Sequence, residues 1–266
     1  GIAKMLNFAH GDVIMVGGYM CFCATTYLGW PAWMGVVLAI IVCTVLGMAI
    51  ERLAYKPLRA APSLAVLITA IGVSYFLQNA ALLVWTSNPK SFTSVVSGLK
   101  PISLFGGQLT ISAETVVTII ACIVIMVVLI WFVNNTPAGH AMLAVSEDRG
   151  AAQLMGVNVN ATISLTFAIG SALAGIGSVL YLCAYQQASP TMGSMLGLKA
   201  FVAAVLGGIG SIPGAMIGGF AIGLLEALVS AVGLSVWKDG VVFAILIVVL
   251  LVKPTGILGR PQTEKV

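Results

Sequence analysis

The chain has 266 residues, 60% of them apolar and 8% charged, with a net charge of +4 and a mean hydropathy of +1.10. So few charges cannot solvate the surface of a water-soluble domain of this size. The composition places the chain in a lipid bilayer and sets transporters, channels and membrane scaffolds ahead of most enzymes.

A helix needs about 20 mostly apolar residues to cross the hydrocarbon core. Runs of that kind fall at about 12–29, 34–54, 63–85, 114–133, 160–185, 199–232 and 240–253. They are continuous rather than alternating, the pattern of helices and not of barrel strands. The expected fold is all-α: one transmembrane domain over 1–266, a polytopic bundle of about 7–8 membrane segments.

The chain opens Gly1-Ile2-Ala3-Lys4, with no initiator Met and no signal-like basic region, which suggests a fragment that lacks an earlier span. Leu6 to Asp12 then brings Asn7, His10 and Asp12 to the mouth of an apolar run. Asn7 or Asp12 reads as a helix cap; the sharper reading is a polar lining that faces protein or a water-filled path. A lone His10 makes neither a metal site nor a proton relay.

Lys and Arg concentrate on the cytoplasmic side of membrane proteins. Arg52, Lys56 and Arg59 in the loop 51–62, and Lys253, Arg260 and Lys265 in the tail, put both segments inside. Counting spans then puts 86–113 outside, 134–159 inside and 186–198 outside. Lys90 and Lys100 on the outer loop oppose this, although long loops count less. The pairs Gln78-Asn79 and Gln186-Gln187 fall on the outer side, as interfacial residues or as the lining of a vestibule.

The loop 134–159 holds a stretch fit for a short amphipathic helix. Its apolar positions are Ala141, Ala144, Val145, Ala151, Ala152, Leu154 and Met155, and its polar face is Glu147, Asp148 and Arg149. Gly139 and Gly156 bracket it as breakers. It reads as a surface connector or as a docking element for a soluble partner. Ser171, Gly175 and Ser178 form a close-packing stripe on the next span.

The run 199–232 is too long for one pass and is broken at Gly207-Gly208-Ile209-Gly210-Ser211-Ile212-Pro213-Gly214. Two short segments with a turn between them fit the parity if that turn faces the cytoplasm. Ala215, Gly219 and Gly223 make a second small-residue row. Glu226 follows one turn later, either a substrate or ion contact or a buried acid paired with Lys or with backbone donors. Met15-Val16-Gly17-Gly18-Tyr19 echoes Met216-Ile217-Gly218-Gly219-Phe220, the kind of internal repeat seen in duplicated transporter cores.

Cys21, Cys23, Cys43, Cys122 and Cys183 all lie in apolar runs and read as packing residues. No phosphate-binding loop, zinc-protease motif or nucleophile elbow is present, so any ATP that drives the protein belongs to another subunit. The positives form no nucleic-acid face.

The blocks NFAHGD (7–12), ERLAYKPLR (51–59), ITAIGVSYFLQN (68–79), the loop 139–156, KAFVAAVLGGIGSIPGAMIGG (199–219) and KPTGILGRP (253–261) together resemble the H-type permeases of bacterial high-affinity branched-chain amino acid ABC importers. The resemblance covers essentially the whole chain. It implies a multi-pass subunit of the bacterial inner membrane that carries leucine, isoleucine or valine and is not itself an enzyme. It implies partners: an M-type permease, two cytoplasmic ATPases that hold ATP and Mg, and a periplasmic or lipid-anchored amino-acid-binding protein. The family has one further span before NFAHG, so the first family helix is expected to be missing here.

Gly139, Ala144, Glu147, Asp148 and Gly156 match the family's coupling helix, which would insert into an ATPase cleft. Arginines are common in the family where this chain has His140 and Leu143, a departure that weakens the expected ion pairs to an ATPase. Reversing charge at Glu147 and Asp148 together is expected to uncouple ATP hydrolysis from transport with folding intact. Asn7, His10, Gln78, Asn79 and Glu226 are the expected residues of the translocation path. The alternatives are a urea or short-chain amide permease of the same class, and a stand-alone ion-coupled transporter.

Overall fold

The computed structural model describes residues 7–59, 61–96, 98, 101–104, 109–253 and 255–259. Gly1–Lys4, Lys100, Arg260 and Lys265, which carry the expectations about the start, the outer loop and the tail, lie outside the described residues.

Ten helices follow in chain order among the described residues: α1 His10–Phe22, α2 Ala32–Ile50, α3 Ser63–Trp85, α4 Ala113–Asn135, α5 Pro137–Glu147, α6 Arg149–Leu154, α7 Val159–Tyr185, α8 Met192–Gly207, α9 Ile212–Ala231 and α10 Lys238–Val252. A π-turn extends α1 over Cys23–Tyr27, and another extends α2 over Glu51–Tyr55. Six helical segments are long and apolar enough to cross a membrane: Ala32–Leu58, Leu64–Trp85, Ala113–Asn135, Val159–Tyr185, Ile212–Ala231 and Ser235–Val252. With the shorter α8 and the more polar α1 they make the expected all-α, polytopic bundle.

The chain forms helices where it does because polar caps flank the apolar runs. Ser112, Thr136, Asp148, Asn158 and Ser211 each accept a hydrogen bond from a backbone N–H in the first turn of the helix they precede. Pro137 and Pro213 stand in first turns, where a missing N–H costs nothing.

α1 is the centre. It packs against α2, α3, α7 and α8 and buries Gly11, Asp12, Val13, Met15, Gly17, Gly18, Tyr19, Cys21 and Phe22. Protein rather than lipid surrounds it, so polar residues are tolerated in a membrane segment. The tightest contacts are made by small residues. Ser171 sits on Gly47, Ala39 and Ile40 on Gly175, and Cys43 and Ser178 on Gly17. The predicted stripe Ser171–Gly175–Ser178 is therefore the face of α7 that meets α1 and α2.

Two expectations about small residues change. Gly193 and Gly197 read as loop, yet they lie in α8, where they let its backbone rest on Gly11. The row on α9 that packs closely is Gly214 and Gly218, against Gly207 and Ala203 of α8, while Gly219 and Gly223 face open space. The close-packing row is one residue earlier than Ala215–Gly219–Gly223, because the Gly207–Gly214 contact sets the rotation of α9.

The predicted break in 199–232 is real and ends at Ser211. Gly208 adopts φ +107° beside Gly259, a conformation open to glycine. The N–H groups of Ile257 and Leu258 donate to Leu206 and Gly207 carbonyls at 2.9 and 3.0 Å. The blocks GGIGSIPG and KPTGILG are thus two halves of one structure in which the C-terminal segment satisfies the end of α8. At the opposite end of the bundle two short ladders form: β1 Lys90–Ser91 pairs antiparallel with β4 Gln187–Ala188, and β2 Ile102–Leu104 with β3 Leu109–Ile111.

Candidate functional site

The polar residues of this bundle gather in three clusters and one exposed helix pair. The first lies between α1, α3 and α8. Asp12 is fully buried; its carboxylate accepts from the Ser74 hydroxyl and, at 3.1 Å, from the Gln78 amide. The same amide nitrogen reaches Ser74 Oγ at 3.1 Å and Ser194 Oγ at 2.8 Å. Ser74 and Gln78 are one turn apart on α3, so both present to α1. The depth follows from the neighbouring residue: the Val13 carbonyl accepts from Cys43 Sγ at 3.3 Å, and Cys43 stands near the middle of the Ala32–Leu58 span.

The capping reading of Asn7 and Asp12 is overturned. The N-cap of α1 is Ala9, with no side-chain cap. Asn7 Oδ1 accepts from the Tyr55 hydroxyl at 2.7 Å, and Asp12 turns to α3. His10 opens α1 and is partly buried. Of the expected path residues, Gln78 joins Asp12. Asn79 points away, donating to the Tyr75 carbonyl at 2.8 Å on an exposed face.

The second cluster holds Glu226. Lys199 on α8 pairs with Glu226 on α9 at 2.9 Å and with Asp239 on α10 at 2.7 Å. One ammonium group between two carboxylates ties three helices together. The third cluster sits at the end of α2. Glu51 is buried and pairs with Arg59, accepts from Ser164 Oγ at 2.8 Å, and Arg59 also donates to Asn160. It fastens the segment 51–59 to the first turns of α7.

The loop 134–159 is two helices rather than one. Asp148 ends α5 and caps α6, accepting from the N–H groups of Gly150 and Ala151 at 2.8 and 3.0 Å. Gly139 is no breaker: it is buried in the first turn of α5 against Phe132 and Val133, and its N–H donates to Thr136 Oγ1. Gly156 does end α6, at φ +85°. Val145 and Ala152 pack on Ile163 of α7, which holds the pair against the bundle. Ala144 and Glu147 are exposed, and so are Leu143, Leu154 and Met155, the last two 90% and 84% accessible. His140 Nε2 is 2.8 Å from the Asn134 carbonyl and donates to it. A notch of about 290 Å³ lies between the helices, lined by Val145, Ser146, Glu147, Asp148, Arg149 and Gly150. Because Asp148 is a cap, reversing its charge alters α6 itself, so the clean probe of this surface is Glu147 with Leu154.

At the hairpin end a cleft of about 650 Å³ is lined by Ser91, Phe92, Thr93, Ser94, Tyr185, Gln186 and Gln187. Gln186 and Gln187 line this cleft, whereas Gln78 lies deep in the bundle. No group of three His, Cys, Asp or Glu able to hold a metal occurs among the described residues.

Sequence reasoning missed Ser74, Ser194 and Lys199 as members of these clusters. The signal available was the one-turn spacing of Ser74 and Gln78, two hydrogen-bonding side chains on one face of an apolar span.

Comparison with known proteins gives one consistent answer. Residues 1–250 match the family model of the branched-chain amino acid transport system permease component. The chain is similar to the high-affinity branched-chain amino acid transport system permease protein BraD of Pseudomonas aeruginosa, 43% identical over 278 residues, which covers 100% of this chain and 90% of that protein. It is similar to the permease protein LivH of Escherichia coli K12, 44% identical over 277 residues, 100% of this chain and 89% of that protein. A probable branched-chain amino acid permease of Methanocaldococcus jannaschii is 28% identical over 267 residues, 95% of this chain and 82% of that protein. No solved structure gives a significant match.

Proposed function

Since this chain belongs to the branched-chain amino acid transport permease family, we propose that it forms the membrane path of an ATP-driven importer of leucine, isoleucine or valine. The observation that carries the reading is the full-length identity of 43–44% to two such permeases. The chain is a transport subunit of the bacterial inner membrane and not an enzyme. A urea or amide substrate, or coupling to an ion gradient, has no comparable support.

The end that carries Arg52, Lys56, Arg59 and Lys253 faces the cytoplasm in this reading. ATP and Mg belong to two ATPase subunits, an M-type permease completes the membrane core, and a binding protein delivers the amino acid at the cleft beside β1 and β4. The helices α5 and α6 are the docking element. Their exposed Leu143, Leu154 and Met155 beside Glu147 offer a partner apolar contact with an acidic edge. With His140 and Leu143 in place of arginines, the contact depends more on apolar packing than on ion pairs.

Transport follows from alternating access. The nucleotide state shifts the bundle between inward- and outward-open forms only through a different affinity for each. Closing the ATPases moves α5 and α6, and the packing of Val145 and Ala152 on Ile163 passes that movement to α7.

Glu147→Lys combined with Leu154→Asp is expected to reduce ATP-dependent leucine uptake at least tenfold in vesicles holding the complete transporter, and to lose the ATPases on purification. Uptake at the wild-type rate would sink the docking assignment. Leucine uptake by the wild type that ignores ATP and follows an ion gradient would sink the importer assignment.

A further inference from the structure

The other carboxylates packed between helices of this bundle stand against a cation. Glu51 has Arg59, and Glu226 and Asp239 share Lys199. Asp12 is the most deeply buried of them and has only neutral partners among the described residues, Ser74 and Gln78. An ionised carboxylate near the middle of a membrane span is costly unless its charge is matched.

Part of the match is built in. Gly193, in the first turn of α8, lies directly against Asp12, so the carboxylate sits at the positive end of that helix. The start of α8 has no side-chain cap and no acid of its own. Ser74 and Gln78 of α3 donate to the carboxyl group of α1, and Ser194 of α8 accepts from the same Gln78 amide, so three helices meet at this site. A hydroxyl and an amide on one helix, facing a carboxyl group on another, are groups that can exchange one partner for another as the helices shift.

A second observation lies along the same seam. Tyr19 is on the Asp12 stripe of α1, seven residues on, and stacks on Trp85 of α3 with ring centroids 4.5 Å apart. It is fully buried, and its hydroxyl has no hydrogen-bond partner among the described residues. A buried hydroxyl left unpaired costs free energy. The α1–α3 seam therefore carries, from the cleft side inward, an unpaired hydroxyl and then a carboxyl group without a cation.

We propose that Asp12 binds the α-ammonium group of the amino acid as it passes the middle of the membrane. The inference rests on the importer reading above. In the form described here the seam is closed, and Ser74 and Gln78 occupy the carboxylate. When α3 moves relative to α1, the ammonium group replaces one of these donors and supplies the missing positive charge. Asp12 thus selects for a primary ammonium group, while the aliphatic side chain meets the apolar walls of the seam.

The test uses the complete transporter. Wild-type vesicles that fail to take up leucine with ATP would overturn the importer reading and this inference with it. Where uptake holds, binding of radiolabelled leucine is measured on the purified permease–ATPase complex without its binding protein. Saturable binding is expected, displaced by isopentylamine, which keeps the ammonium group, and not by 4-methylpentanoate, which keeps only the carboxylate. Asp12→Asn, recovered as an intact complex, is expected to bind leucine at least tenfold more weakly and to transport it correspondingly more slowly. If Asp12→Asn does not assemble, the displacement pattern of the wild type decides alone. Displacement by 4-methylpentanoate but not isopentylamine, wild-type affinity in Asp12→Asn, or no saturable binding overturns the site at Asp12 while leaving the importer reading intact.

Discussion

Gly11→Val is expected to keep the bundle from assembling, at a cost of about 3 kcal/mol or more, the upper end of what overpacking a core incurs. Gly11 is where α1 meets α8 backbone to backbone. A Cβ there would fall 2.6 and 2.7 Å from the N and Cα of Gly197, and closer still to the Gly193 carbonyl oxygen. None of these atoms is the end of a flexible side chain, so relief requires the two helices to separate. Separation would also remove Ser194 from Gln78 and open the Phe8–Phe201 ring contact, whose centroids are 5.7 Å apart. The comparison variant is Gly72→Ala. Gly72 stands in the interior of α3 with nothing near its Cβ direction, and replacing an unneeded helical glycine by alanine stabilises by roughly 0.5–1 kcal/mol. Thermal unfolding in detergent, followed by tryptophan fluorescence, separates the two. A Gly11→Val protein that melts with the wild type would mean that α8 is not held against α1.

The two glycines differ only in surroundings, and this marks what the sequence could disclose. Hydropathy placed the spans, because a bilayer demands long apolar runs whatever the partners. It also located the turn within Gly207–Gly214, since glycines and a proline punctuate helices, although Gly207 closes α8, Pro213 and Gly214 open α9, and the turn itself is 208–211. It could not tell a glycine that meets a backbone from one that meets lipid. Gly193 and Gly197 read as loop, and the α9 row came out one residue late, because rotation of a membrane helix is set by its neighbours and not by its own apolar pattern. α1 shows the same effect in reverse. His10 and Asp12, with two threonines in the π-turn that follows, weaken it as a span by composition, yet it is the most enclosed helix of the fold. For the candidate site, the residue types were legible and the partners were not. Asp12 and Asn7 looked like caps, since a short polar side chain at a helix start usually is one. Their contacts to Ser74, Gln78 and Tyr55 span 48 to 66 residues of sequence and follow only from the packing.

Arg59→Ala should cost about 3–5 kcal/mol, the penalty for stranding one partner of a buried ion pair. Glu51 would be the stranded group. Its side chain is 2% exposed and that of Arg59 is 15%, so water cannot replace the guanidinium. Ser164 Oγ, at 2.8 Å, would remain as the carboxylate's neutral donor, too little to hold a charge at that depth. Asn160 would also lose its contact with Arg59, freeing the first turn of α7 from the segment after α2. The test that isolates charge is the double variant Glu51→Gln with Arg59→Met. The introduced amide can still accept from Ser164, and no charge is left to bury, so most of the lost stability should return. Thermal or denaturant unfolding of the two variants reads the difference. A loss below about 1 kcal/mol in Arg59→Ala would class the pair with solvent-screened surface bridges. The same comparison bears on coupling. α7 begins where α6 ends, and Ile163, one residue before Ser164, carries the packing of Val145 and Ala152. A helix base loosened by Arg59→Ala would transmit less of any movement of α5 and α6. The single variant should therefore lose ATP-driven uptake even under conditions where it stays folded. The double variant should recover stability first, and transport only as far as the introduced amide restores the grip on Ser164.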